Sequence, residues 1–345
     1  MAAMTREEIE QALQEQGKRL DLSKQDLQGV DLSGLNFSDV TFCGANLNGA
    51  NLSGANLTRA DFSGSKGMAD GQVRDWVDQV TDLSGAILTG ALLVEATLRG
   101  AKMQDADLRE ANLIKADLSG TERLWNDERK LFVEVTADLS MADLSHANLQ
   151  VANLQGVLLK NATLEHATLS QTNLSGTDMS GANLSYATLL NADFSGIGKE
   201  KTRLNNANLE GADLTGADLT NVDLQGAILR EAKLFEANLT GNSLQGADMQ
   251  KANFQEARMS ECNLRDANLR EAWMARADLR NAILNGANLR EATLNEVNLR
   301  GAHLRGADLH ETVLSQAEYD GKTEWDEQFD PEEAGAKKDK FLGLF

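Results

Sequence analysis

From Leu22 to Tyr319 the chain repeats every five residues: a small residue, then Asp or Asn, then Leu or Phe, then two polar or small residues. In Ala45-Asn46-Leu47-Asn48-Gly49, Ala50-Asn51-Leu52-Ser53-Gly54 and Ala55-Asn56-Leu57-Thr58-Arg59 the motif follows itself without slippage. The same frame later carries Leu139, Leu144, Leu149 and Leu154 through to Leu309 and Leu314. Self-similarity of this length outranks any local propensity. A helix would turn every fifth residue by about 140°, and a strand would flip it to the opposite face. Neither buries all the leucines together. A coil that turns a corner after each five does. The central residue and the small residue two before it then point into a shared interior, and the Asp or Asn between them points out. Four such sides close a square turn of about twenty residues, and stacked turns pair backbone to backbone at about 4.8 Å, like parallel strands.

An array of Ala-Asp/Asn-Leu-x-x motifs, repeated roughly fifty times, resembles the pentapeptide-repeat proteins. The resemblance implies an all-β fold, a right-handed quadrilateral parallel β-helix, and right-handedness agrees with the usual hand of parallel crossovers. Roughly 13 coils, or about 65 Å of solenoid, follow at sheet spacing. The expected organisation is a helical N-terminal cap over 1–20, the repeat β-helix over 21–319, and a C-terminal cap and tail over 320–345.

The frame breaks between Phe62 and Leu83 and again between Leu118 and Leu139. These insertions, about 63–82 and 119–137, read as short helices. Val73, Trp76, Val77 and Val80 fall at i, i+3, i+4 and i+7, while Leu124 and Trp125 recur seven residues later as Leu131 and Phe132. A third irregularity over 197–203 keeps the frame but places Lys at a core centre, which predicts an outward basic loop. Open β-helix ends expose unpaired backbone and apolar stacks, so both ends need covering. Thr5 with Glu8 three residues on reads as the start of an amphipathic helix with Ile9 and Leu13 inward. Thr323-Glu324-Trp325 followed by Phe329-Asp330-Pro331 resembles the closing segment of cyanobacterial pentapeptide proteins, except that Asp326 stands where Pro often follows the Trp.

Composition bounds the rest. Of 345 residues 41% are hydrophobic but only 5% aromatic, so Ala and Leu must build a uniform core. Cys43 and Cys262 are far apart in the repeat order and have no metal-type spacing, which disfavours a bridge. The N-terminal residues lack the basic and apolar regions of a signal peptide, and no run approaches the eighteen or so apolar residues of a transmembrane segment. These features predict a cytoplasmic protein.

No nucleophile elbow, phosphate-binding Gly loop or HExxH is present. The many Asp residues occupy a repeated outward slot, where uniform solvation leaves pKa values unlike those of a cleft. No catalytic residue and no cofactor is expected. His146 and His166, twenty residues apart, should stack on consecutive coils with Tyr186 beyond; two such imidazoles could share a metal or simply stack.

Function then falls to the outer surface. Phe235, Trp273, Ala275 and Val313 occupy normally polar outward positions of one face, with Lys233 and Arg276 beside them, and exposed Trp and Phe mark interfaces or a homodimer contact. Leu92, Val94 and Ile114 share another face, which reads as covered by the two insertions. The tail Phe341, Leu342, Gly343, Leu344 and Phe345 follows a basic run and reads either as an exposed linear motif or as a segment folded back on the terminal coil. A net charge of −20 disfavours direct nucleic-acid binding. The sequence points to a non-enzymatic protein-binding scaffold or regulator with an unidentified protein partner. The alternative, implied by family members thought to protect DNA gyrase by mimicking duplex DNA, is a DNA mimic that binds a topoisomerase. About 65 Å of duplex would carry roughly 38 phosphate charges, well above this net charge, and Arg265, Arg270, Arg280, Arg290, Arg300 and Arg305 offset the later carboxylates.

Overall fold

A computed structural model describes residues 4–64, 66–69, 72–75, 80–120, 124–126, 131–133, 136–196 and 201–339. The chain divides into two compact units, Met1–Asn183 and Leu184–Phe345.

The first unit opens with helix α1 (Arg6–Gln16). The Thr5 hydroxyl accepts from the Glu8 N–H while the Glu8 carboxylate accepts from the Thr5 N–H, the reciprocal capping box its sequence predicts. Ile9 is fully buried and Leu13 half-buried. Below the helix, bridges such as Asp21 to Thr41 join residues twenty apart in parallel, so each coil contains four fives. Four ladders, beginning at Asp21, Asp26, Asp31 and Asn36, define the first to fourth sides of a square coil. The central residues Leu47, Leu52, Leu57 and Phe62 and the small residues Ala50, Ala55 and Ala60 are all fully buried. Phe42 and Phe62 stack on successive coils with ring centroids 4.9 Å apart.

Corner chemistry explains the remaining slots. The Ala45 N–H donates to the Phe42 carbonyl at 2.9 Å, with Gly44 between them at φ +68°. A four-residue turn with positive φ at its third residue favours Gly there. Arg59 and Glu95 adopt the same conformation at φ +57°, at a cost of about 1 kcal/mol each. The Asp or Asn slot is equally specific. Its side-chain oxygen accepts the N–H two residues on, as from Ser23 to Asp21 at 2.8 Å and from Ser195 to Asp193 at 2.9 Å. An Asn can also bond along the stack, as Asn46 does to Asp26 at 2.9 Å.

The insertions differ from expectation. Strand β1 (Lys66–Ala69) pairs antiparallel with β2 (Gln72–Asp75), and β3 (Leu124–Asn126) pairs antiparallel with β4 (Leu131–Val133). The described parts are hairpins, not helices; Trp76 and Val77 lie outside the described residues. An excursion from a corner must return to that corner, and antiparallel strands bring its two ends together. Ladder partners across each excursion, Asn46 to Asp82 and Lys102 to Asp138, are 36 apart instead of 20, so each adds sixteen residues. Both leave from the corner between the first and second sides.

The second unit repeats the coil. Thr188 pairs with Asp213, 25 residues on, so five extra residues leave the coil before β5 (Thr202–Arg203), which pairs parallel with β6 (Val222–Asp223). Of the irregular segment expected over 197–203, residues 197–200 lie outside the described residues, and Lys201 is exposed. At the far end Trp325 packs edge-on to Tyr319 at 5.8 Å and stacks on Phe329 at 5.2 Å. Strand β7 (Glu318–Tyr319) then takes β8 (Lys337–Lys338) as a parallel partner, and Arg300 Nε meets Asp339 Oδ2 at 2.8 Å. The chain is therefore docked through Asp339; Phe341, Leu342, Leu344 and Phe345 lie outside the described residues. No helix among the described residues is long and apolar enough to cross a membrane.

Candidate functional site

On one ladder of the second unit the outward slots read Lys233, Asn253, Trp273, Thr293 and Val313. Where that slot holds Asp or Asn, the side chain is engaged with its own backbone. Trp273 and Val313 have no such bond to offer, yet their backbones keep the ladder: the Trp273 N–H donates to the Ala252 carbonyl and the Val313 N–H to the Ala292 carbonyl, both at 2.9 Å. Their side chains stand outside, 58% and 46% exposed. Two rungs separate them, or about 10 Å at sheet spacing. Phe235 lies in the row just after the buried Leu234, on the coil that carries Lys233, and is half-buried. Ala275 occupies the same row and is also half-buried.

Charge around these residues is paired. Arg276 reaches Glu296 at 3.0 Å and Glu256 at 3.5 Å, so it is held between carboxylates of the coils above and below, and both raise its pKa, Glu296 more strongly. Lys233 lies 3.5 Å from Asp213. Paired charges thus flank the exposed Trp273 and Val313.

His146 and His166 stack as their spacing predicts, with centroids 5.1 Å apart and planes 13° from parallel. Glu165 Oε1 lies 3.7 Å from His166 Nε2. Among the described residues no group of three His, Cys, Asp or Glu is placed to hold a metal ion. Burial pushes the Cys262 thiol up to about 12 and the half-buried Cys43 thiol up to about 11, so both remain protonated at neutral pH.

The face with Leu92, Val94 and Ile114 is not covered as expected. The hairpins depart from the corner between the first and second sides, whereas Leu92 stands on the fourth, where it remains 43% exposed.

One acid-sensitive contact borders that side. Hydrogen bonds from Arg59 and Lys18 hold the Asp39 carboxyl down at about 2. A depressed carboxylate stabilises the fold above its unfolded pKa, and that contribution is lost as pH falls from about 4 through 2. The difference in melting temperature between the wild type and Asp39→Asn is expected to shrink over that window; a constant difference from pH 5 to pH 2 would remove Asp39 as its source. The pair is exposed, so the effect is small.

A family model described as Pentapeptide repeats matches overlapping runs that together cover residues 26–64, 81–122, 137–197 and 200–310. The chain belongs to the pentapeptide-repeat family. Between matched runs the gaps fall at the two hairpins and at the five-residue excursion, where the coil is interrupted. The coil of both units is the right-handed quadrilateral β-helix of pentapeptide-repeat proteins. Among solved structures the chain is similar to HetL, a pentapeptide repeat protein involved in heterocyst differentiation regulation from the cyanobacterium Nostoc sp. strain PCC 7120. The identity is 25% over 91% of this chain and 96% of that chain, with a TM-score of 0.28. It is also similar to alr5209, a pentapeptide repeat protein from Nostoc, at 32% identity over 34% of this chain and 84% of that chain, TM-score 0.15. A third is QnrB1, a plasmid-mediated fluoroquinolone resistance protein, at 16% identity over 65% of this chain and 84% of that chain, TM-score 0.19. A search of curated proteins returns no match.

Reading the sequence alone missed the bond from the Asp or Asn oxygen to the second N–H along. The signal was present: Ser, Thr and Asn crowd the position that donates it.

Proposed function

We propose that this pentapeptide-repeat protein is a non-enzymatic, protein-binding scaffold or regulator, and that Phe235, Trp273 and Val313 form its contact surface in the second unit. The observation that carries the reading is the indole of Trp273, 58% exposed in a slot that most often holds Asp or Asn. Covering a Trp side chain by a partner is worth about 2 kcal/mol or more at interface centres. Outward aspartates such as Asp21 and Asp193 each commit one carboxylate oxygen to the backbone N–H two residues on, a structural role in the turn.

The test compares three chains in affinity capture from the native host: wild type, Phe235→Glu with Trp273→Glu, and a chain ending at Asp339. That end keeps the β8 contact and removes only Phe341, Leu342, Leu344, Phe345 and their neighbours. A partner that purified wild type binds directly and the face variant binds at least about tenfold more weakly supports the proposal. A correctly folded face variant that retains every partner refutes it.

A second reading, a DNA mimic acting on a topoisomerase such as gyrase, rests on the net charge of −20. Cations such as Arg270, 3.0 Å from Glu291, and Arg280, 2.6 Å from Asp278, interrupt the acidic surface such a mimic needs. Unchanged gyrase supercoiling at low salt with excess protein would exclude gyrase as the target.

A further inference from the structure

The fourth side of the first unit differs from the other three in its charge. Its ladder runs Asn36, Asn56, Leu92, Asn112, Asn148 and Thr168. The row after the core residues runs Ser38, Thr58, Val94, Ile114, Gln150 and Ser170. None of these side chains ionises, whereas each other side carries aspartates in its ladder, such as Asp61, Asp82 and Asp107. The apolar residues occupy the middle two of six rungs, with polar amides and hydroxyls on the rungs to either side.

We propose that this side is a self-association surface, and that a second copy of the chain docks on it face to face and antiparallel, about a two-fold axis between the Leu92 and Asn112 rungs. Two chains of charge −20 repel wherever carboxylates meet, and this is the side of the unit on which they can approach without that cost. The pattern is self-complementary under the two-fold operation, as an isologous contact requires. Val94 meets Ile114 of the second copy, and Ile114 meets its Val94. Asn56 meets Asn148 of the second copy, Asn36 meets its Thr168, and Leu92 lies over its Asn112. Each Asn oxygen already accepts a backbone N–H of its own chain, so the amide NH2 groups are what these residues offer across the contact.

The corner rows fit the same operation. On one edge Glu95 and Lys115 stand on the middle rungs, paired within the chain at 3.5 Å and both exposed. Antiparallel docking sets Glu95 against Lys115 of the second copy, so the two pairs join into a four-charge cluster. On the other edge the stacked rings of His146 and His166 meet the second copy's Gly54 and Gly34, beside which there is open space. Parallel docking would instead put Leu92 against Leu92 and set the Glu95/Lys115 edge against the edge bearing Glu110, losing the reciprocal pairing.

Six coils at about 4.8 Å and a side of four to five residues at about 3.3 Å give a contact of roughly 400 Å2 per copy. That is about half the standard for a stable complex, so the dimer is weak, with dissociation in the micromolar range or above.

Sedimentation equilibrium of the full chain, from about 1 µM to about 1 mM, reads the association directly. Ile114→Glu is expected to weaken it at least tenfold, and Glu95→Lys or Lys115→Glu each several-fold, with the double exchange restoring affinity toward wild type. Melting curves of the same variants separate folding from association, since the exchanges also alter the intrachain pair. Orientation is read by Thr58→Cys with Gln150→Cys in a Cys43→Ser background. Three coils separate these positions within one chain, too far for an intrachain bridge. A covalent dimer from the double variant and none from either single supports antiparallel docking. A chain that stays monomeric throughout, an Ile114→Glu variant that is folded and associates like wild type, or cross-linking by Thr58→Cys alone would overturn the proposal.

Discussion

Leu214→Asp is expected to unfold the coils around it. Leu214 is fully buried on the Asp213 rung, between the rungs of Thr188 and Lys233, with its N–H donating to the Lys233 carbonyl at 2.7 Å. Truncation to Ala alone should cost about 2–5 kcal/mol, because neighbouring leucines cannot collapse into the space without breaking their own ladders. A carboxylate adds the penalty of an unpaired buried charge, several kcal/mol beyond the cavity. That total is comparable to the stability of a typical domain. Repeat arrays are held mainly by nearest-neighbour contacts, so the loss should be local. Hydrogen exchange is expected to show lost protection at Leu209, Leu219 and Leu234 while Leu47 and Leu52 in the first unit stay protected. An unchanged melting temperature would contradict the inward assignment of the central slot.

Ile9→Asp should open the other end. Helix α1 presents Ile9 as its fully buried residue, and Arg6 ties it to the coil through the carbonyls of Asp31 and Ser33, each at 3.1 Å. The two surface bonds are worth about 1 kcal/mol each, whereas a charge in place of Ile9 removes the apolar anchor and leaves the first coil's leucines facing water. Exchange at Leu22, Leu27 and Leu32 is expected to rise by two orders of magnitude or more. Because an uncovered β-helix end displays unpaired strand edges, concentration-dependent aggregation should accompany it. If Leu22 kept its wild-type protection, the helix would be dispensable to the coil below.

Much of the fold was legible because each slot performs one task. A corner after every fifth residue leaves room inside for one large apolar residue, mostly Leu with some Phe and Met, and one small residue, mostly Ala, and the turn demands positive φ where Gly recurs. The capping box at Thr5 and the stack of His146 on His166 followed from spacing alone. The insertions were not legible as hairpins because Leu124 and Trp125, returning as Leu131 and Phe132, fit two turns of helix as well as two strands around a polar turn. Which side an insertion shields depends on the corner it leaves from, and that was settled by ladder pairing, not by distance along the chain; hence the misplacement of Leu92. Trp273 stood out in sequence because it breaks a slot rule. Phe235 breaks one too, but its slot lies close to the corner, where the coil itself covers half of the ring.

The shared departure point of the two hairpins has a consequence for how such a chain can change. At the corner after Ser63 and again after Ser119 the ladders resume as though nothing had intervened, so the core pays no attention to what lies between. Lengthening a loop whose ends are already fixed costs only about 0.6 kcal/mol per doubling. That corner is therefore a tolerant seam, a place where foreign sequence can be carried and varied while every leucine of the coil keeps its neighbours.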